Sequence, residues 1–149
     1  MKTLVVYDSL YGNTKIIAQA IGDAIPGDVR MSHVSEVNVS KLGDYDLLVV
    51  GGPTQMAQPS KPVKEMLEKI PASTLEGTKV AAFDTRMTMK WVLIFGTAAP
   101  KIAQSLKKKG GKQVGTAEGF FVDGGEGPLK EGEAERAAAW AKGIAGNGT

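Results

Sequence analysis

The chain reads as an α/β protein built on a parallel sheet, and three observations carry that reading. Apolar runs of strand length alternate with stretches of helical periodicity from end to end. One run, "YDLLVVGG" (Tyr45–Gly52), is almost wholly apolar, as a central strand covered on both faces should be. At 149 residues, 42% hydrophobic and 23% charged, the chain can fill one core but not two ordinary domains. Residues 1–149 are therefore read as a single domain.

The strands are expected at Thr3–Tyr7, Val29–His33, Asp46–Gly51, Lys79–Phe83 and Gln113–Val122. Between the first two, Ile16, Ile17, Ala20, Ile21, Ala24 and Ile25 form one helical stripe, and Pro26-Gly27 ends it. Val63, Met66, Leu67 and Ile70 follow i, i+3, i+4, i+7 spacing, with Ser60 placed to cap and Pro62 in the first turn. A third helix begins near Pro100, runs through Ile102, Ala103 and Leu106, and stops at Gly110-Gly111. The last carries Ala134, Ala137, Ala138, Trp140, Ala141 and Ile144.

One connection is long. From Asp84 to Ala99 no clear period emerges, yet Met87, Met89 and "WVLIF" make the stretch too apolar for a disordered one. It should cover the core, a ligand or a partner, and its apolar part, 87–95, is a candidate surface for self-association.

Composition excludes several functions. The chain has no cysteine, so disulfides, thiolate metal sites and cysteine nucleophiles are ruled out. His33 is its single histidine, too few for a histidine-rich metal site, and no metal site or catalytic side chain is nominated. A net charge of +2 gives no argument for nucleic acid. No apolar run approaches the roughly 20 residues that span a bilayer. The N-terminal run is only a strand long and meets Asp8 and a turn. No membrane insertion and a cytoplasmic location are the expectations.

The chemistry begins after the first strand. In "YDSLYGNT", Ser9, Tyr11, Asn13 and Thr14 offer hydroxyl and amide donors, and Gly12 lets the backbone turn closely. A helix starts at once, so its unpaired N–H groups and positive dipole end face the same spot. That combination suits an anion, most naturally a phosphate. The loop lacks the Lys-Ser/Thr pair of a nucleotide-hydrolysing loop and lacks G-x-G-x-x-G, which argues against nucleotide hydrolysis and a dinucleotide clamp. The plainer alternative is an ordinary strand-to-helix turn capped by Asn13 or Thr14.

Here the sequence resembles the flavodoxin family. "YDSLYGNT" is similar to that family's FMN phosphate loop, "VVGGPTQMAQPSKPVKEML" to its first isoalloxazine loop, and "VAAFDTR" to the start of its second. The tail "GFFVDGGEGPLKEGEAERAAAWAKGI" resembles the last strand and helix of short-chain members, so the likeness covers essentially the whole chain. It implies a three-layer sandwich, with a five-stranded parallel sheet in the order 2-1-3-4-5 and helices on both faces. It further implies FMN as cofactor. Ser9, Leu10, Tyr11, Gly12, Asn13 and Thr14 would hold the phosphate. Pro53, Thr54, Gln55, Met56 and Ala57 would meet the ribityl chain and one ring edge, and Asp84, Thr85, Arg86 and Met87 the other. These segments leave the carboxyl ends of strands, where such sheets bind ligands. Met56, Met87, Met89 and Trp91 are sulfur and aromatic neighbours suited to a flat apolar ring.

Three departures qualify the expectation. The first flavin loop, "PTQMAQPS", has no aromatic residue to stack on the ring, which leaves the ring open to a second substrate. Arg86 would place a cation beside it, unless it pairs with Asp84. Many family members are strongly acidic, whereas this chain has a pI near 8.8. Lys101, Lys107, Lys108, Lys109 and Lys112 gather on one helix and its exit, and Glu126, Glu131, Glu133 and Glu135 near the last helix. These are two solvated faces or a dipolar surface that orients an acidic partner.

The resemblance implies an electron carrier working between redox partner proteins, more a carrier than an enzyme. The alternative on the same fold is an FMN-dependent NAD(P)H:quinone-type oxidoreductase. A receiver domain of similar size needs a phosphorylatable Asp after the third strand, where this chain has Gly51-Gly52-Pro53. A flavin-free binding module using "KWVLIFG" for a protein contact is a further reading.

Overall fold

The computed structural model describes residues 1–87 and 96–146. Seven strands and four helices follow in order, among the described residues: β1 (Lys2–Tyr7), α1 (Asn13–Ala24), β2 (Asp28–His33), β3 (Leu47–Gln55), β4 (Gln58–Pro59), α2 (Lys61–Lys69), β5 (Lys79–Met87), α3 (Ala98–Lys108), β6 (Lys112–Gln113), β7 (Glu118–Val122) and α4 (Glu133–Gly146). Two 3₁₀ segments, Val34–Glu36 and Val39–Asp44, lead from β2 to β3.

The sheet runs β2-β1-β3-β5, and its last position is filled by β6 and β7 in turn, each parallel to β5. The expected order 2-1-3-4-5 is therefore met, with the fifth strand split. Residues Lys79 and Val80 pair with β6, and Phe83–Met87 pair with β7. The ladder lapses through "GTA" at 115–117, where glycine weakens a strand. β4 is an addition the sequence reading did not contain, an antiparallel hairpin partner for the end of β3.

Period-2 alternation divides the strands between two cores. Leu4, Val6, Leu48, Val50, Val80 and Ala82 face α2 and α3, packing on Val63, Met66, Leu67, Ile102 and Leu106. Val5, Leu47, Val49, Ala81 and Phe83 face α1 and α4, packing on Ile17, Ile21, Ala137, Ala141 and Ile144. Each fully buried Val, Leu, Ile or Phe contributes roughly 1.5–3 kcal/mol of transfer free energy. Two covered faces explain why the strands read as apolar runs. Phe83, Phe120 and Trp140 meet edge to face at centroid distances of 6.1 to 6.4 Å, joining β5, β7 and α4.

The α1 stripe is displaced from the expected one. Thr14, Ile17, Ala18, Ile21 and Gly22 are buried, and Ile16 is exposed. β5 continues to Met87 and α3 begins at Ala98, before Pro100, so regular structure takes both ends of the long connection. Residues 88–95 of that connection, with Met89, Trp91 and most of the stretch nominated for self-association, lie outside the described residues.

Candidate functional site

The site is assembled where four parallel strands end. Tyr7 pairs with Gly51, and the Asp8 amide donates to the Gly51 carbonyl at 3.1 Å. The chain then turns through Ser9–Gly12 into α1. Gly12 supplies a left-handed φ of 92° at the N-cap, a conformation that suits glycine. Neither Asn13 nor Thr14 is the cap. The Ser9 hydroxyl takes over, accepting from the amides of Gly12 at 3.0 Å and Lys15 at 3.4 Å. This leaves the amides of Tyr11, Asn13 and Thr14 without an acceptor among the described residues, at the positive end of the α1 dipole. No charged side chain lies within Ser9–Thr14. The donor set fits a phosphate ester held by backbone and dipole.

Thr14 looks inward. Its hydroxyl is buried and lies 2.8 Å from that of Thr85 on β5. One hydroxyl donates to the other, so one proton of the pair stays free for a ligand in the pocket both residues line.

Asp8, which the sequence reading left unused, ties this corner together. Its Oδ2 accepts from the Ser60 hydroxyl at 2.6 Å, and its Oδ1 lies 3.4 Å from His33 Nε2. The His33 Nδ1 accepts from the Ser35 amide at 3.1 Å. Ser60 heads α2 as expected, but its hydroxyl serves Asp8 and makes no capping bond.

The second segment is a two-residue hairpin. Thr54 pairs with Pro59 and Gln55 with Gln58, and Met56 and Ala57 turn between them at φ 52° and 66°. Two successive positive φ values are the geometry of a type I′ turn, and outside glycine each costs about 1 kcal/mol or more. Lys101 Nζ donates to the Ala57 carbonyl at 2.6 Å and braces the turn. Ala57 is buried, while Met56 stands 85% exposed at the tip.

The third segment is the end of β5. Asp84 is fully buried, and Arg86 grips it in a fork, Nε to Oδ1 at 2.7 Å and Nη2 to Oδ2 at 2.8 Å. The Ala99 amide also donates to Asp84 Oδ2, at 2.8 Å, and the neighbouring Ala98 amide donates to Thr54 Oγ1 at 3.0 Å. Helix α3 is thus capped by one side chain from each of the two candidate ring segments. Arg86 is compensated, and the alternative pairing raised from the sequence is the one formed.

These segments converge on one pocket. Its walls are Leu10, Tyr11, Asn13 and Thr14, then Pro53, Thr54 and Gln55, then Thr85, Arg86 and Met87, and finally Val122 and Gly125. Ser9, Gly12, Met56, Ala57 and Asp84 stand behind or beside these walls, shaping the loops. Val122 and Gly125 were missed. The Gly-rich "DGGEGP" following a strand's carboxyl end was the available signal.

Behind Val122, a charge cluster fixes β7 to α4. Glu133 Oε2 accepts from the Phe121 amide at 2.8 Å and from Arg136 Nη2 at 2.7 Å. Arg136 also reaches Glu118 and the Gly119 carbonyl, with its guanidinium 4.6 Å from the Phe120 ring centroid. Burial works to raise the Glu133 pKa. Hydrogen bonds from Arg136 and Phe121, with the charges of Arg136 and Lys130, outweigh it and hold the carboxyl below its ordinary value. The Glu133 hydrogen bond raises the Arg136 pKa against the opposing effect of burial.

The lysine group is divided: Lys101 braces the hairpin at the site, and the other four lie elsewhere. Lys112 pairs with Lys79 at the amino end of β5, and Lys107, Lys108 and Lys109 close α3 beside it. These four stand at the amino end of β5, and the pocket lies at its carboxyl end. Among the described residues, no acidic or histidine cluster could hold a metal, and no helix is long and apolar enough to cross a membrane.

A family profile described as a flavodoxin domain matches residues 4–118. A flavodoxin of Maridesulfovibrio salexigens is 29% identical over 157 aligned positions, covering 97% of each chain. An archaeal flavodoxin structure superposes with a TM-score of 0.82 at 22% identity, covering 99% of both chains. The rubredoxin oxygen:oxidoreductase of Desulfovibrio gigas superposes at 0.74 and 19% identity, covering 97% of this chain but 35% of that one.

Proposed function

The chain belongs to the flavodoxin family, whose cofactor is FMN, and from that premise we propose that its FMN occupies the pocket at the strand ends and that it carries electrons between larger redox proteins. When bound, FMN supplies the electron-accepting and electron-donating chemistry. The chain's part is to bind, orient and shield. The amides of Tyr11, Asn13 and Thr14 take the phosphate, with the spare proton of the Thr14–Thr85 pair beside them. Pro53–Gln55 and Thr85–Met87 flank the ribityl chain and ring. The observation that carries the reading is the convergence of three separate family-like segments on one pocket around unpaired amides.

A partner approaching the pocket meets exposed Leu10, Tyr11 and Met56 with charges of both signs around them, Glu126 among the acids and Lys15 and Lys101 among the bases.

Titration of the apo-protein tests the reading. FMN should bind at least tenfold tighter than riboflavin or FAD, about 1.4 kcal/mol. Equal affinity for riboflavin would remove the phosphate from Ser9–Thr14. A reductase is favoured by one observation, the aromatic-free hairpin with Met56 exposed at its tip. Sustained NAD(P)H oxidation with a quinone, with no partner protein present, would establish that activity instead.

A further inference from the structure

The pocket has a wall outside the phosphate loop and the two flavin-loop segments, within the tail that follows β7. After β7 the chain makes a short excursion, Asp123–Pro128, closed at its base by the Asp123 amide on the Pro128 carbonyl at 2.9 Å and by a Val122–Leu129 bridge. Within it, the Gly127 amide donates to the Gly124 carbonyl at 3.1 Å. Three glycines in the tip make it inherently loose. Among the described residues, one side chain ties the tip to the phosphate loop: Asn13 Nδ2 donates to the Glu126 carbonyl at 3.1 Å. Gly127 lies directly against that carboxamide at φ 101°, and a Cβ there would stand 2.6 Å from Asn13 Nδ2. Gly125 faces the pocket with no side chain to fill it.

We infer that Asp123–Pro128 is a strap over the phosphate end of the site, and that Asn13 is the positioning residue that latches it. The inference rests on the FMN reading for its ligand, but the latch itself exists without one. A carboxamide has two N–H donors. One goes to the strap, and the plane it fixes leaves the other directed by the same bond. The strap therefore retards escape of the phosphate end and leaves the ring end accessible.

Two variants separate the latch from the phosphate loop. Gly127→Ala drives a wedge between strap and carboxamide while leaving the backbone amides and hydroxyls of Ser9–Thr14 in place, and Asn13→Ala removes the latch itself. In the holoprotein, release of FMN, followed by the return of flavin fluorescence on dilution, should quicken at least tenfold in both variants. Riboflavin release should change less than threefold, a contrast that general loosening of the fold would erase. Hydrogen exchange of the apo-proteins over 123–128 should also quicken at least tenfold. If Asn13→Ala alone speeds FMN release, Asn13 acts on the phosphate and the strap holds nothing. Unchanged exchange over 123–128 in Asn13→Ala overturns the latch whether or not FMN binds. Failure of the wild-type protein to bind FMN, with exchange responding as expected, would overturn the functional reading and leave the latch standing.

Discussion

Arg86→Ala should damage the protein through the charge it leaves behind. Arg86 makes two hydrogen bonds to Asp84, whose side chain is fully buried, while the arginine side chain is itself only 18% exposed. Removing it leaves a buried carboxylate with the Ala99 amide as its remaining partner among the described residues. Breaking one side of a buried pair costs about 3–5 kcal/mol. The low end, about 3 kcal/mol, is expected here because the helix amide and the α3 dipole still serve Asp84. Asp84→Ala/Arg86→Ala should recover part of that loss, since it deletes the stranded charge as well. The same cycle is legible in the cofactor. On the proposed FMN reading, an uncompensated Asp84 behind the pocket wall disfavours the more negative reduced state, so Arg86→Ala should lower the reduction potential. A shift of about 1 kcal/mol at the pocket edge is on the order of 40 mV for a one-electron step, and the double variant should return toward wild type. Urea unfolding of the apo-proteins and dye-coupled potentiometry of the holoproteins read the two effects. If Arg86→Ala unfolds within about 0.5 kcal/mol of wild type, below any mechanism expected for a buried pair, Asp84 is not held as described and the reasoning fails.

Two further outcomes follow from groups away from the pocket. Thr3 is fully buried on β1 with its hydroxyl unpartnered among the described residues; Thr3→Val should stabilise by up to about 1 kcal/mol in urea unfolding, and a loss would show that the hydroxyl is satisfied. Glu133→Gln should cost about 1.5–3 kcal/mol at neutral pH, the range for hydrogen bonds to a charged group. Because the folded Glu133 pKa is depressed below its ordinary 4.5, its contribution is full above that value and is lost as pH falls through the folded pKa. The stability gap between wild type and variant should therefore narrow below about pH 4.5, and a gap that persists unchanged to pH 2 would contradict the assigned shift.

How much of this was legible depends on the range of the interaction. Strand and helix identities were readable because each rests on a short-range period, and the two-faced sheet follows from Leu4, Val5 and Val6 all being apolar. The period misjudged α1 at Ile16, where apolarity outweighed position. Thr14 holds the inward site because its hydroxyl has a partner in Thr85, across 71 residues of chain. The phosphate loop was readable because it carries its donors locally, whereas the other two pocket segments were implied by the family resemblance and not by their own residues. The split of the fifth strand was not, since Gln113–Val122 has no break in hydropathy strong enough to mark "GTA".

The two arrangements around Arg86 and Asn13 show where sequence reasoning stops for a physical reason. Asp84 and Arg86 stand two apart on a strand, and side chains so spaced share a face. Their pairing was therefore available from sequence, but so was an arginine reaching the ring. What decides is the burial of Asp84 beneath the start of α3, a fact of tertiary packing. Asn13 is harder still. Its partner is a main-chain carbonyl, which every residue possesses, so no residue type at position 126 could have announced the bond. Only the glycines betray it, because Gly127 must approach the carboxamide more closely than any Cβ allows. A glycine-rich turn at the carboxyl end of the last strand is thus evidence for something held against it, and here that is the first turn of α1.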